Sequence, residues 1–372
     1  MDNTLNNRYI YIYISGGGGK KQRLPGLDLM RVALAFLIYL FHSRIHLKCD
    51  YSFLNEFIDV GAIAMTGFFL LSGYALYISY SGKDLTSIKE IKTFYIKRAI
   101  TVLPLYFFIA IAFTVCSFIL GSAHVNEVLV LLPVETLCLQ STFSSLFSYA
   151  HNGGTWFISC ILICYVLYPF FQTLLSQISN RTRVLLLVLF TGILLYAPIV
   201  QQYFNLHSIY TNPFYRLLEF SIGIILAQIN YSAKENKVFD FLRSKMTLIC
   251  VVVLLIVLIS IAIRYGMPAD YMLLNWIALP CFSVILLASG SISFPSLSNN
   301  KVLQYLSSIS FTFFLCQVLP LWIVSQKVCS LLGSNSNLIK ILVSFTFCIL
   351  GAVIIHECIE KPASKLLKEK LL

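Results

Sequence analysis

Charge is what this sequence has least of. Asp, Glu, Lys and Arg make up 12% of its 372 residues, and 16 acidic residues face 27 basic ones. Soluble globular domains carry about twice that charged share, so a water-soluble enzyme is excluded for most of the chain. Long polar tracts are scarce as well. The longest are the segment before Leu24 and the stretch from Gly121 to Gly154, and neither leaves room for a sizeable soluble domain. The eleven cysteines contain no CxxC pair, and Cys160 with Cys164 has helical i,i+4 spacing inside an apolar run. They read as small core hydrophobes, and no metal site is expected. The apolar run from Tyr9 to Ile14 is too short for the h-region of a cleavable leader, so the first long apolar segment is expected to do the targeting. Internal repeats and paired half-length spans are also missing. Their absence weighs against a transporter or flippase for a glycan or lipid-linked substrate, which is the competing reading.

What is present is apolar. Hydrophobic residues are 58% of the chain and the mean hydropathy is +0.82, as in polytopic membrane proteins. A window of about 19 residues predicts spans near 26–43, 58–80, 99–120, 155–176, 184–204, 214–230, 246–265, 272–290, 305–327 and 338–358. The fold expected is an all-α integral membrane protein, a bundle of about ten transmembrane helices. A weaker apolar piece, Val125 to Leu139, holds Glu127, Pro133 and Glu135 and reads as an interfacial or re-entrant segment.

The net charge of +11 does not point to nucleic acid, because the basic residues are partitioned by side. With the N-terminus inside, most Lys and Arg fall in the N-terminal tail, the loop Lys83 to Arg98, the connections after every second span and the C-terminal tail. Outside fall only Arg44, Lys48, Arg264, Lys327 and Lys340. The positive-inside rule then predicts both termini in the cytoplasm. The expected organisation is a cytoplasmic tail over 1–25, a transmembrane domain over 26–360 and a second tail over 361–372.

The first span carries Arg31 and His42. An ionisable residue within the bilayer is costly and is normally retained for function. Eleven residues at about 100° each make three turns plus roughly 20°, so both side chains share one face, about 16 Å apart along the axis. Arg31 either snorkels to headgroups or binds a phosphate or carboxylate. His42 either caps the span or takes a proton. The sixth span holds Arg216 and Glu219 at i,i+3. These either neutralise each other, or Glu219 polarises His42 or orders a substrate hydroxyl.

Several motifs around these residues are similar to those of the membrane acyltransferase family usually called acyltransferase family 3, which includes O-acetyltransferases of bacterial surface polysaccharides. They are Gly26-Leu27-Asp28-Leu29-Met30-Arg31 with His42, Gly67 to Tyr74, Phe94-Tyr95-Ile96-Lys97-Arg98 with Pro104-Leu105-Tyr106, Thr155 to Ser159 with Tyr168-Pro169, Tyr215 to Gly223, and Ile359-Glu360-Lys361-Pro362. Thr101 stands where the family often has an arginine, and Gln317 where a histidine is usual before proline.

The resemblance implies acyl transfer, most simply of acetyl, from cytoplasmic acyl-CoA to a hydroxyl of a surface glycan (O-antigen, capsule or exopolysaccharide) or a lipid-linked oligosaccharide. It places such an enzyme in the bacterial inner membrane, with acetyl-CoA as donor substrate and no bound cofactor. His42, Arg31 and Glu219 are then the expected catalytic residues. Arg31, Lys97 and Arg98 are the expected donor contacts, and Arg216, Trp156 and Ser159 the expected acceptor contacts. Gly67, Ser72 and Gly73 are expected to permit close helix packing.

Overall fold

The computed structural model describes residues 13–14, 22–121, 125–142, 153–206, 209–232, 237–266, 271–292, 294–325 and 336–372. Most of the predicted N-terminal tail, and Lys327, lie outside these. The described residues are almost wholly helical, apart from a two-residue antiparallel pairing of Tyr13 with Arg23 and Ile14 with Gln22.

The helices that position the site are α1 (Pro25–Leu47), α2 (Asn55–Asp59), α3 (Ala64–Tyr80), α4 (Ile88–Ile119), α5 (Val125–Thr136), α6 (Trp156–Gln177), α7 (Asn180–Tyr203), α8 (Pro213–Ser232), α9 (Lys237–Leu242), α10 (Lys245–Arg264), α11 (Tyr271–Ser289), α12 (Pro295–Ser298), α13 (Lys301–Cys316), α14 (Val318–Ile323), α15 (Asn337–Ile355) and α16 (Lys361–Leu371). Among the described residues seven helices are long and apolar enough to cross a membrane. The other three predicted spans are helical too: α8, which carries Arg216 and Glu219, the shorter α11, and α13, which stops before its predicted end.

Three boundaries differ from the expectation. The basic segment Lys89 to Arg98 is the start of α4, not a loop. Lys and Glu favour helix there as well as Leu does, and the helix runs 32 residues from Ile88. The ninth span breaks at Gln317, because Pro320 has no N–H for the carbonyl four residues back and its ring crowds that turn. The C-terminal residues continue as helix over Lys361–Leu371. A π-helical turn over His356–Glu360 joins α15 to α16, ahead of Pro362, which cannot donate to the preceding turn. Helix α5 is 12 residues long, too short to cross. It is tied back to α4 where Tyr106 donates to the carbonyl of Glu135 (2.5 Å).

The bundle is centred on α3. Of its most apolar stretch 78% is buried, against 11% for α7 and 17% for α10, so those two present their apolar faces to lipid. Glycine explains how α3 and α8 come together. A Cβ on Gly73 would run into the backbone carbonyl of Phe220, and one on Gly223 into that of Leu70. The helices therefore meet backbone to backbone, as small residues allow in membranes. Beyond the spans, the loop after α1 is pinned by Asp50, whose carboxylate lies below its usual range because the Asn55 amide and the Ser52 N–H donate to it.

Candidate active site

Helix α1 carries Arg31 and His42 on one uninterrupted cylinder, as the spacing predicts. Asp28, buried near its start, is paired with Arg23 at 2.5 Å and accepts a hydrogen bond from Ser307 of α13 at 2.6 Å. The Arg31 guanidinium donates to the same serine at 3.4 Å and lies 4.0 Å from Asp28. Arg31 is thus held toward the protein interior and does not snorkel to lipid.

What it faces is a cavity of about 520 Å³ in which Arg23, Arg31, Lys83, Lys97, Arg98 and Lys368 converge. Two of these positions, Lys97 and Arg98, come from the first turns of α4. Arg98 lies against the ring of Tyr80 (5.5 Å) and that of Tyr165 (5.9 Å), while Lys83 sits over Tyr80 at 4.9 Å. Among the described residues Lys83, Lys97 and Arg98 form no ion pair, and the Arg98 Nε is buried without a partner. Among the described residues the side-chain carboxylates that line the cavity are Asp28 and Glu360. Asp28 is matched by Arg23, and Glu360 accepts from Thr312 and meets His356 Nδ1 at 2.6 Å. The cavity therefore keeps a surplus of positive charge in a partly desolvated space, an arrangement able to attract a polyanion. Its far end is apolar, closed by Phe68, Phe157 and Phe314, with ring centroids 5.6 Å (Phe68 to Phe314) and 5.2 Å (Phe157 to Phe314) apart.

His42 lies beyond that end of the cavity. Its ring packs on Phe41 (5.6 Å) and His46 (5.8 Å), and its Nδ1 is buried without a hydrogen-bond partner. Of the two roles open to Glu219, the structure shows the pairing with Arg216 and not a contact with His42. Arg216 donates to Glu219 at 2.7 and 3.0 Å, Thr66 at 2.8 Å and Asn275 at 3.4 Å, and the carboxylate makes no hydrogen bond to His42. The i,i+3 spacing has closed on itself, because an unpaired charge at such depth is far costlier than a paired one. Arg216 is 1% exposed. It also donates to the Tyr210 carbonyl (2.8 Å) and is boxed by the rings of Tyr210 (4.7 Å), Phe69 (5.5 Å) and Trp156 (5.5 Å). Trp156 is buried in that box, and Ser159 accepts the backbone N–H of Ser141 (3.2 Å). Arg216, Trp156 and Glu219, with Thr66 and Asn275, thus form a clamp joining α3, α6, α8 and α11, Ser159 stands on α6 outside it, and none of Arg216, Trp156, Ser159 and Glu219 lines the cavity.

The structure places Arg31, Lys97 and Arg98, the donor contacts expected from sequence, around one cavity. Sequence reasoning missed Lys83, Lys368, Tyr80, Tyr165 and Glu360 as members of the same cavity. Only the motif ending at Pro362 flagged Glu360, and no local pattern flagged the rest. Ser72 lines the cavity while Gly73 makes the helix contact.

A family model described as an acyltransferase domain matches residues 24–357. No curated protein and no solved structure matches the chain.

Proposed function

The chain belongs to acyltransferase family 3, and from that premise we propose that it is a multi-pass O-acyltransferase of a bacterial inner membrane that moves an acyl group, acetyl in the simplest case, from cytoplasmic acyl-CoA to a hydroxyl of a surface glycan. One observation carries this reading. A cavity with surplus cations opens at one end of α1, and a half-buried imidazole whose Nδ1 is buried without a partner stands on the same helix about 16 Å away.

The phosphates of CoA match the cations. Arg31 offers a planar fork, and Lys83, Lys97 and Arg98 offer charges that no carboxylate neutralises. Each charge-assisted contact contributes about 1.5–3 kcal/mol. The apolar end under Phe314 suits the acyl-bearing end of the donor arm. His42 then takes the proton of the acceptor hydroxyl, or carries the acyl group covalently before passing it on. The cytoplasmic position of the cavity is part of the proposal and follows from the partition of basic residues.

The test is the acetyl-ester content of surface glycan in cells matched for membrane levels of wild type and His42→Ala. Loss of at least 10²-fold in transfer, with donor binding intact, is expected. Wild-type ester levels in the variant would reject the assignment and favour a transporter.

A further inference from the structure

Gln317 interrupts the helical run between α13 and α14 and is fully buried, at 0% exposure. Neither atom of its side-chain amide has a hydrogen-bond partner among the described residues. Buried polar groups are nearly always satisfied. Gln228 on α8 is orphaned at both atoms as well, and what sets Gln317 apart is its level on the helix beside the one that carries His42.

The position can be fixed from register. Helix α1 packs along both α13 and α14. Arg31 meets Ser307 at 3.4 Å, and farther along the ring of Tyr39 meets that of Phe313 at 5.8 Å. Counting on from that level, His42 is three residues above Tyr39 and Gln317 four above Phe313. A rise of 1.5 Å per residue therefore puts the two within about 2 Å of the same depth. Two orphaned buried groups, the Nδ1 of His42 and the amide of Gln317, thus stand on adjacent helices at one level. They lie just past the aromatic end of the cavity, where Phe314 is one turn below Gln317.

Resting on the acyltransferase reading, we propose that Gln317 is a second catalytic residue, whose amide N–H holds the acyl carbonyl oxygen while His42 handles the proton. In the direct form of the reaction the acceptor hydroxyl oxygen forms a C–O bond to the acyl carbon and its proton passes to the imidazole. The carbonyl electron pair moves onto oxygen, where the Gln317 N–H donates to it. Return of that pair breaks the C–S bond, and the thiolate leaves and takes the proton from the imidazolium. A preorganised donor at the developing oxyanion is worth about 10²–10³ in kcat. The broken helix serves this role, because a residue at the break is released from the straight helical track.

The experiment compares Gln317→Met, which keeps the shape without the donor, and Gln317→His, which restores an N–H, in purified full-length protein with acetyl-CoA and acceptor glycan. Expected are a fall in kcat of about 10²-fold or more for Gln317→Met, an acetyl-CoA KM within twofold of wild type, and recovery of at least a tenth of wild-type kcat in Gln317→His. Three outcomes would overturn the proposal: wild-type kcat in Gln317→Met, as when a water satisfies the amide; a change confined to KM; or equal losses in both variants alongside a lowered melting temperature. If wild type itself transfers no acyl group, the underlying reading has failed; if wild type is active and Gln317→Met matches it, only the role of Gln317 has.

Discussion

Arg31 and Arg98 do different work with the same side chain. Arg31 is held edge-on by Ser307 and Asp28 and presents its fork to the cavity, whereas Arg98 lies against the rings of Tyr80, Phe94 and Tyr165, which fix its charge without neutralising it. Replacing Lys97 and Arg98 together by Ala is therefore expected to raise the KM for acyl-CoA at least tenfold with a smaller effect on kcat. That follows from losing two contacts of about 1.5–3 kcal/mol each, partly compensated by Lys83 and Lys368. Steady-state kinetics at saturating acceptor measures it, and an unchanged donor KM counts against the cavity as the donor site. Arg31 and His42 were legible in the sequence because helical phase is a local property, set by the number of residues between them. Lys368 and Glu360 were not, since what brings them to Arg31 is the docking of the last helix on α4. Glu219 was legible as a buried acid paired with Arg216, and only the alternative role of polarising His42 is not seen. Spacing along one helix identified Arg216, but nothing in it announced Thr66 and Asn275 from two others.

At the scale of elements, the join between α3 and α8 and the Arg216 clamp both hold α8 in place, by opposite means. Gly73 and Gly223 remove side chains so that backbones touch, while Arg216 fills its space and satisfies its charge. Gly73→Leu is expected to fail badly, since the new side chain meets a carbonyl and not a side chain able to move. Overpacking costs about 1–3 kcal/mol even where neighbours can shift. Arg216→Leu leaves Glu219 buried and unpaired and is expected to cost about 3–5 kcal/mol, whereas Arg216→Leu with Glu219→Leu costs less. Thermal unfolding in detergent orders the three variants; a double variant no better than the single one would show that the clamp acts by more than charge pairing. Most helices were readable from apolar runs alone. The break at Gln317 was not, because it prolongs an apolar run in which only the backbone departs, and the π turn over His356–Glu360 was not, because its polar residues read as the end of a span.

For the whole molecule, the arrangement of lipid-facing α7 and α10 around a central α3 says which surfaces meet the bilayer, and the partition of basic residues sets the orientation to be tested. Cysteine introduced at Lys89, at the start of α4, is expected to be labelled only after the inner side is made accessible; labelling from the periplasm of intact cells would invert the topology and put the cationic cavity on the wrong side for a cytoplasmic donor. The same cavity takes Arg31 from α1 and Lys368 from α16. Its wall is therefore complete only once α16 has docked on α4, so assembly of the proposed site is coupled to the packing of a helix far from Arg31 in sequence. A protease that trims only α16 would then switch off an otherwise intact bundle.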